Sequence, residues 1–69
     1  MYNHEYIRSI RQSKGLTILA AAELLQMDRG NYNRMELGGY KNIPIDLLVK
    51  LHEILGLDLY YLLNIRKNN

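Results

Sequence analysis

Residues 15–38 read GLTILAAAELLQMDRGNYNRMELG, and this stretch decides the fold of the chain. It predicts two short helices, because Thr17 and Asp28 are residue types whose side chains cap the first turn of a helix. Gly38 is expected to end the second helix, since glycine readily adopts the left-handed conformation found at helix C-termini. The link between the helices spans only about residues 26–28, so they are expected to cross at a steep angle.

The second helix of this stretch has an apolar face and a polar face. Tyr32 and Met35 lie three residues apart and are expected to point into a core. Arginine can form a bidentate contact with guanine and asparagine with adenine, so the polar face suits base-pair edges in a major groove. From residue types alone, solvated surface charges are an equally good interpretation of its arginines. The outer face carries Arg29, Gly30, Asn33, Arg34 and Leu37.

Three more helices are predicted outside this stretch. The first is expected over residues 3–14. The fourth is expected to begin at Pro44, because proline suits the first helical position, and to end near Leu55. Asp58 is expected to cap a last short helix over about residues 59–64. The inward face of the fourth helix is expected to hold Leu47, Leu48, Leu51, Ile54 and Leu55.

The whole chain is predicted to be a single all-α domain. No segment alternates apolar and polar residues for long enough to indicate a strand. We therefore expect one helical domain over residues 1–65, followed by a basic polar tail over residues 66–69.

The composition excludes several classes of function. The chain has 69 residues, a net charge of +2 and no cysteine. No paired carboxylates, nucleophile–base set or phosphate loop is visible, so we expect neither an enzyme nor any catalytic residue. His4 and His52 lie too far apart for a metal site, and no cofactor is expected. The longest apolar run, residues 18–22, is far short of a membrane span, so a cytoplasmic protein is expected.

Six short motifs carry a resemblance to a known family. They are Gly15-Leu16-Thr17, Ala22-Glu23 with Leu25, Asp28-Arg29-Gly30-Asn31-Tyr32, Arg34-Met35-Glu36-Leu37-Gly38, Ile43-Pro44-Ile45-Asp46-Leu47-Leu48 and Leu55-Gly56-Leu57-Asp58-Leu59. In this order and spacing they resemble the Cro/repressor-type helix-turn-helix, also called the xenobiotic-response-element family of bacterial and phage regulators. The resemblance covers about residues 7–63. It implies a compact, five-helix, lambda-repressor-like bundle that binds double-stranded DNA.

The resemblance also implies which residues contact DNA. Base contacts would come from Arg29, Gly30, Asn31, Asn33 and Arg34. Phosphate contacts would come from helix N-termini, whose free N–H groups attract anions, and from the loop after the third helix. These phosphate-contacting residues would be Thr17, Tyr40, Lys41 and Asn42. A simple helix cap at Thr17 and an ordinary solvated lysine at Lys41 are the plainer alternatives.

Two further groups of residues receive roles from the resemblance. The recognition helix would be supported by Tyr32, Met35 and a pair formed by Arg11 and Glu36. A homodimer would form through the last helix, at Leu59, Tyr60 and Tyr61, because tyrosine supplies large contact area at low entropic cost. Such a dimer would place two recognition helices about 34–36 Å apart on a pseudo-palindromic site. The alternative is that the tyrosines only cover a small core.

The chain departs from the pattern of the family at several positions. Ile18 stands where a glutamine is usual, and Leu19 stands where a charged residue is usual, so the two form an apolar step beside the expected DNA face. Gln26 replaces the turn glycine, which costs on the order of 1 kcal/mol if the backbone there is left-handed. The negative charge of Asp28 is expected to lie close to a phosphate and to weaken binding.

Two functions from different classes fit these observations. The first is a sequence-specific, repressor-like transcriptional regulator that acts as a homodimer, with residues 29–37 in the major groove. The alternative is a protein-interaction module on the same fold, of antitoxin or anti-repressor type, that uses the Ile18–Leu19 and Tyr60 surfaces. The regulator is expected to bind DNA with an affinity that falls steeply as the salt concentration rises.

Overall fold

The computed structural model describes residues 1–66, in which five helices are joined by short turns and loops. The helices are α1 (His4–Ser13), α2 (Ile18–Leu24), α3 (Arg29–Glu36), α4 (Ile45–Leu55) and α5 (Leu59–Leu62). Within these residues there is no strand, and the predicted all-α class with five helices is confirmed. Lys67, Asn68 and Asn69 of the predicted tail lie outside the described residues.

Side-chain caps set the starts of three helices where the sequence predicts them. Thr17 Oγ1 accepts a hydrogen bond of 3.0 Å from the N–H of Ala20, at the start of α2. Asp28 does the same for α3, where Oδ2 accepts from the N–H of Asn31 at 3.2 Å. At α5, Asp58 Oδ1 accepts from the N–H of Tyr60 at 3.0 Å. Each bond satisfies a donor that the first turn of a helix leaves without a partner.

Three predicted details of α4 and α5 are wrong. Pro44 lies just outside α4, because its ψ of 148° is extended rather than helical. Ile54 is 42% exposed, since it lies at the margin of the buried arc that centres on Leu51. The helix α5 ends at Leu62 rather than near Asn64, whose positive φ of 56° breaks the helical conformation.

The N-terminal segment belongs to the core, which the sequence did not indicate. Tyr2 is buried, and its hydroxyl donates a hydrogen bond of 2.6 Å to the carbonyl of Met35 on α3. The same hydroxyl accepts from the N–H of Tyr40 at 3.3 Å. The N–H of Asn3 donates to the carbonyl of Leu62 on α5. The first residues therefore join the end of α3, the loop after it and α5.

Candidate nucleic-acid interface

The helix α3 presents a polar face to solvent and an apolar face to the core. Tyr32 and Met35 are completely buried and anchor it. All five residues for which base contacts were predicted are exposed on the helix, namely Arg29, Gly30, Asn31, Asn33 and Arg34. The structure therefore places these residues together, on an element fixed by its buried side.

An open depression of about 670 Å³ lies between the start of α2 and the outer face of α3. Arg29, Gly30 and Asn33 line it from α3, and Thr17 lines it from the cap of α2. Two classes of predicted contact, to bases and to phosphates, thus share one concave surface. The remaining lining residues are Arg11, Ile18 and Leu19.

Arg34 lies beside the loop that follows α3. Its guanidinium carbon is 4.7 Å from the centroid of the Tyr40 ring, within the range of a cation–π interaction. Gly39 packs against the arginine so closely that a Cβ there would clash with Arg34 Cγ. Tyr40, for which a phosphate contact was predicted, is half-buried and supports Arg34 in this arrangement. Lys41 and Asn42 are exposed in the same loop.

Arg11 connects α1 to both α2 and α3. Its Nε donates to Glu36 Oε2 at 2.9 Å, and its Nη2 donates to Glu36 Oε1 at 2.9 Å. Its Nη1 donates to the carbonyl of Leu16, just before the cap of α2, at 2.9 Å. The single guanidinium thus ties α1 to the start of α2 and to the end of α3. The structure brings together the two residues that the family resemblance pairs.

The Glu36 carboxylate is the most deeply buried charge of the described residues, with 1% of the residue exposed. Burial by itself would raise its pKa, but the neighbouring groups, Arg11 above all, together outweigh burial, and the pKa lies below its ordinary value. The Tyr32 hydroxyl is buried beside this carboxylate, outside hydrogen-bond geometry. Burial, and then the neighbouring negative charge, raise the pKa of Tyr32. Glu36 is therefore ionised at neutral pH, and its negative charge is compensated by the positive charge of Arg11.

Two supporting cations were missed in the sequence. Arg8 Nε donates to Glu36 Oε1 at 3.3 Å, and its position one turn before Arg11 on α1 is a signal that could have revealed it. Lys50 Nζ lies 3.4 Å from both the carbonyl of Leu25 and Oε1 of Gln26. Gln26 has a left-handed backbone, with φ of 57°, so the conformational cost expected for a residue other than glycine applies at this turn. No local pattern could have placed Lys50 there, because it lies on α4.

The three residues predicted for a dimer share one short helix, α5. Leu59 is half-buried, whereas Tyr60 and Tyr61 are 49% and 58% exposed. The Tyr61 ring meets the Tyr6 ring edge to face, with centroids 4.6 Å apart. The Tyr6 hydroxyl also accepts a hydrogen bond of 2.9 Å from the N–H of Asp58. One side of α5 is thus bound to α1, and the other side is presented to solvent.

The described part of the chain contains no group of three or more His, Cys, Asp or Glu residues that could hold a metal ion. Within residues 1–66, no helix combines the length and the apolar character that crossing a bilayer requires.

Comparison with known proteins agrees with this geometry. The family described as Helix-turn-helix matches residues 7–62, which include all of α2, α3, α4 and α5. No curated protein and no solved structure matches the chain. The matched family is regulatory rather than enzymatic. The chain therefore belongs to the Cro/repressor-type helix-turn-helix family of DNA-binding transcription regulators.

Proposed function

We propose that the protein is a sequence-specific, repressor-like regulator that inserts α3 into the major groove of DNA. The exposed polar face of α3 carries this proposal, since it presents arginine and asparagine side chains on a helix anchored by Tyr32 and Met35. A major groove about 12 Å wide admits an α-helix, and those side chains match the hydrogen-bonding edges of guanine and adenine. Bound at a promoter, the protein would exclude other proteins from the same DNA.

Individual base contacts follow from the residue types on this face. Arg29 and Arg34 suit guanine, whose O6 and N7 accept two hydrogen bonds from one guanidinium. Asn33, and next to it Asn31, suit adenine, whose N6 and N7 offer a donor and an acceptor. Gly30 has no side chain to hold the backbone away from the groove.

Phosphate contacts would come from the two ends of this surface. Lys41 and Asn42 are exposed in the loop after α3, and they supply a positive charge and an amide. The Thr17 hydroxyl lines the depression at the start of α2 while it also caps that helix. Tyr40, whose ring lies beneath Arg34, would contact a phosphate from that position. Contacts of this kind fix the position of a protein on the duplex without reading its sequence.

A salt titration tests DNA binding directly. We expect fluorescence anisotropy on mixed-sequence duplexes to show binding at about 50 mM salt that weakens steeply by 200 mM. If each chain neutralises about three phosphates, the affinity falls roughly 40-fold over this interval. Absence of measurable binding at the lower salt concentration would overturn the proposal.

We further propose that the protein binds DNA as a homodimer through α5. The exposed halves of Tyr60 and Tyr61, next to Leu59, support this surface. Aromatic residues are enriched in interfaces because they bury large area at low entropic cost. Two copies related by a two-fold axis would place their α3 helices one helical turn of DNA apart, on a pseudo-palindromic site.

A protein-interaction module of antitoxin or anti-repressor type is the second candidate function. It is favoured by the exposure of Leu19 on α2 together with that of Tyr60 on α5. Such a module would bind its protein partner with little dependence on salt and would not bind duplex DNA. The salt titration therefore separates the two candidates.

A further inference from the structure

Leu19 and Ile18 give the depression between α2 and α3 an apolar wall. Leu19 is 50% exposed, and Ile18 beside it is partly buried and packed against the core. Arg29 and Asn33 form the facing polar wall of the same depression. One concave surface therefore combines an aliphatic contact with side chains suited to the hydrogen-bonding edges of bases.

This apolar wall does not suit a phosphate, because an aliphatic side chain offers no hydrogen-bond donor and removes water from the anion. A major groove does offer one apolar group on the edge of a base pair, the C5-methyl group of thymine. A cytosine methylated at C5 carries the same group at the same position of its ring.

We propose that Leu19, which lines the depression beside Ile18, recognises the C5-methyl group of a pyrimidine in the major groove. The inference rests on the proposed DNA-binding function and names a determinant of its specificity. The recognised pyrimidine would lie beside the base pairs contacted by Arg29 and Asn33, since these residues line the same depression. Part of the sequence preference then comes from α2, where Ile18 and Leu19 replace the polar residues that the family usually has.

Removal of single methyl groups from DNA tests this proposal on the wild-type protein. A preferred duplex is first selected from a random library, and each thymine is then replaced in turn by deoxyuridine, which lacks only the C5-methyl group. We expect one position in each half-site to lose about fourfold in affinity, the factor for leaving one methyl-sized group unburied. In a parallel series, each cytosine is replaced by 5-methylcytosine. A fourfold gain in that series, without any effect of deoxyuridine, would identify methylated cytosine as the source of the methyl group.

Two leucine variants assign the effect to a residue. In Leu19→Ala, the wild-type protein's discrimination between thymine and deoxyuridine, or between cytosine and 5-methylcytosine, should disappear. Leu24→Ala is the matched control, because Leu24 lies on the same helix, is 48% exposed and is not part of the depression. It should retain the discrimination.

The outcomes separate this inference from the proposed function. Equal affinities at every substituted position, or discrimination that persists in Leu19→Ala, would overturn methyl recognition while DNA binding stands. Failure of the wild-type protein to bind any duplex would overturn DNA binding itself, and methyl recognition with it. The substituted-duplex series uses unmodified protein, so a folding defect in a variant cannot obscure its result.

Discussion

Arg11 and Glu36 form an ion pair with two hydrogen bonds of 2.9 Å, which joins α1 to the last residue of α3. The side chain of Arg11 is 12% exposed and that of Glu36 is 1% exposed, so both charges are largely withdrawn from water. Removing one partner from a buried pair leaves the other charge without compensation, and that cost exceeds the net stabilisation by the intact pair. The orientation of α3 therefore depends on a residue outside α2 and α3.

Arg11→Ala is expected to lower the free energy of unfolding by about 3–5 kcal/mol, because it leaves the Glu36 carboxylate buried with little compensation. Arg8→Ala is the matched control. Arg8 binds the same carboxylate through one longer contact of 3.3 Å, from a side chain that is 47% exposed. Its loss should cost about 1 kcal/mol or less. Urea unfolding followed by circular dichroism measures both, and equal losses would show that the depth of burial does not matter here.

The depressed pKa of Glu36 predicts a loss of stability in acid. Because the folded pKa lies below the unfolded value, the unfolded chain binds a proton first as the pH falls. The contribution to stability is complete above the ordinary pKa of 4.5 and is lost as the pH falls through the lower folded value. Urea unfolding between pH 7 and pH 3 should therefore show a smaller decline for Glu36→Gln than for the wild type. Parallel declines would contradict this assignment.

Substitutions at Gln26 and Gly15, which both have positive φ angles, are expected to change the stability in opposite directions. Gln26 holds a φ of 57° without being glycine, so Gln26→Gly should raise the stability by about 0.5–1 kcal/mol after the added freedom of the unfolded chain is counted. Gly15→Ala should lower it by about 1 kcal/mol, because Gly15 has a φ of 68°. An added Cβ at Gly15 meets nothing within 4 Å, so this cost is purely conformational. Thermal unfolding measures both, and changes of the same sign would refute the strain argument.

How much of this molecule the sequence predicts depends on how local each signal is. The caps Thr17, Asp28 and Asp58 act within their own helices, so the starts of those helices could be predicted from residue type. The burial of Tyr2 could not, because it depends on α3 and on the loop after it. The extended conformation of Pro44 likewise depends on how that loop enters α4.

The candidate site divides in the same way. The polar face of α3 follows from helical periodicity around Tyr32 and Met35. The placement of Arg34 over the Tyr40 ring depends on the path of the loop, which periodicity does not describe. The contact of Lys50 with the turn joins residues far apart in the chain, and no motif indicates it. Local chemistry therefore predicts which residues lie on the exposed face of α3, and tertiary packing decides how they are held.

Arg34→Ala and Lys41→Ala are expected to affect DNA binding differently. Loss of a bidentate base contact should cost about 1–3 kcal/mol on the preferred duplex and relax the preference at one base pair. Loss of a phosphate contact should weaken binding to all duplexes equally and reduce the dependence on salt by about one ion. Anisotropy on the preferred duplex and on single base-pair variants distinguishes them. If Arg34→Ala leaves the preference unchanged, Arg34 does not read a base.

The exposed surface of α5 predicts a dimer that a single charge disrupts. Tyr60→Glu places a carboxylate on that surface, and burying it unpaired between two copies is costly, so light scattering should report a monomer. Ile45→Glu is the control, because Ile45 is 75% exposed on the first turn of α4 and the substitution makes the same change of charge. It should remain a dimer.

Tyr60→Glu should also bind a two-half-site duplex much more weakly than the control, since each copy then binds independently. A wild-type protein that stays monomeric at the highest concentration reached would remove the dimer and, with it, the expected pseudo-palindromic site.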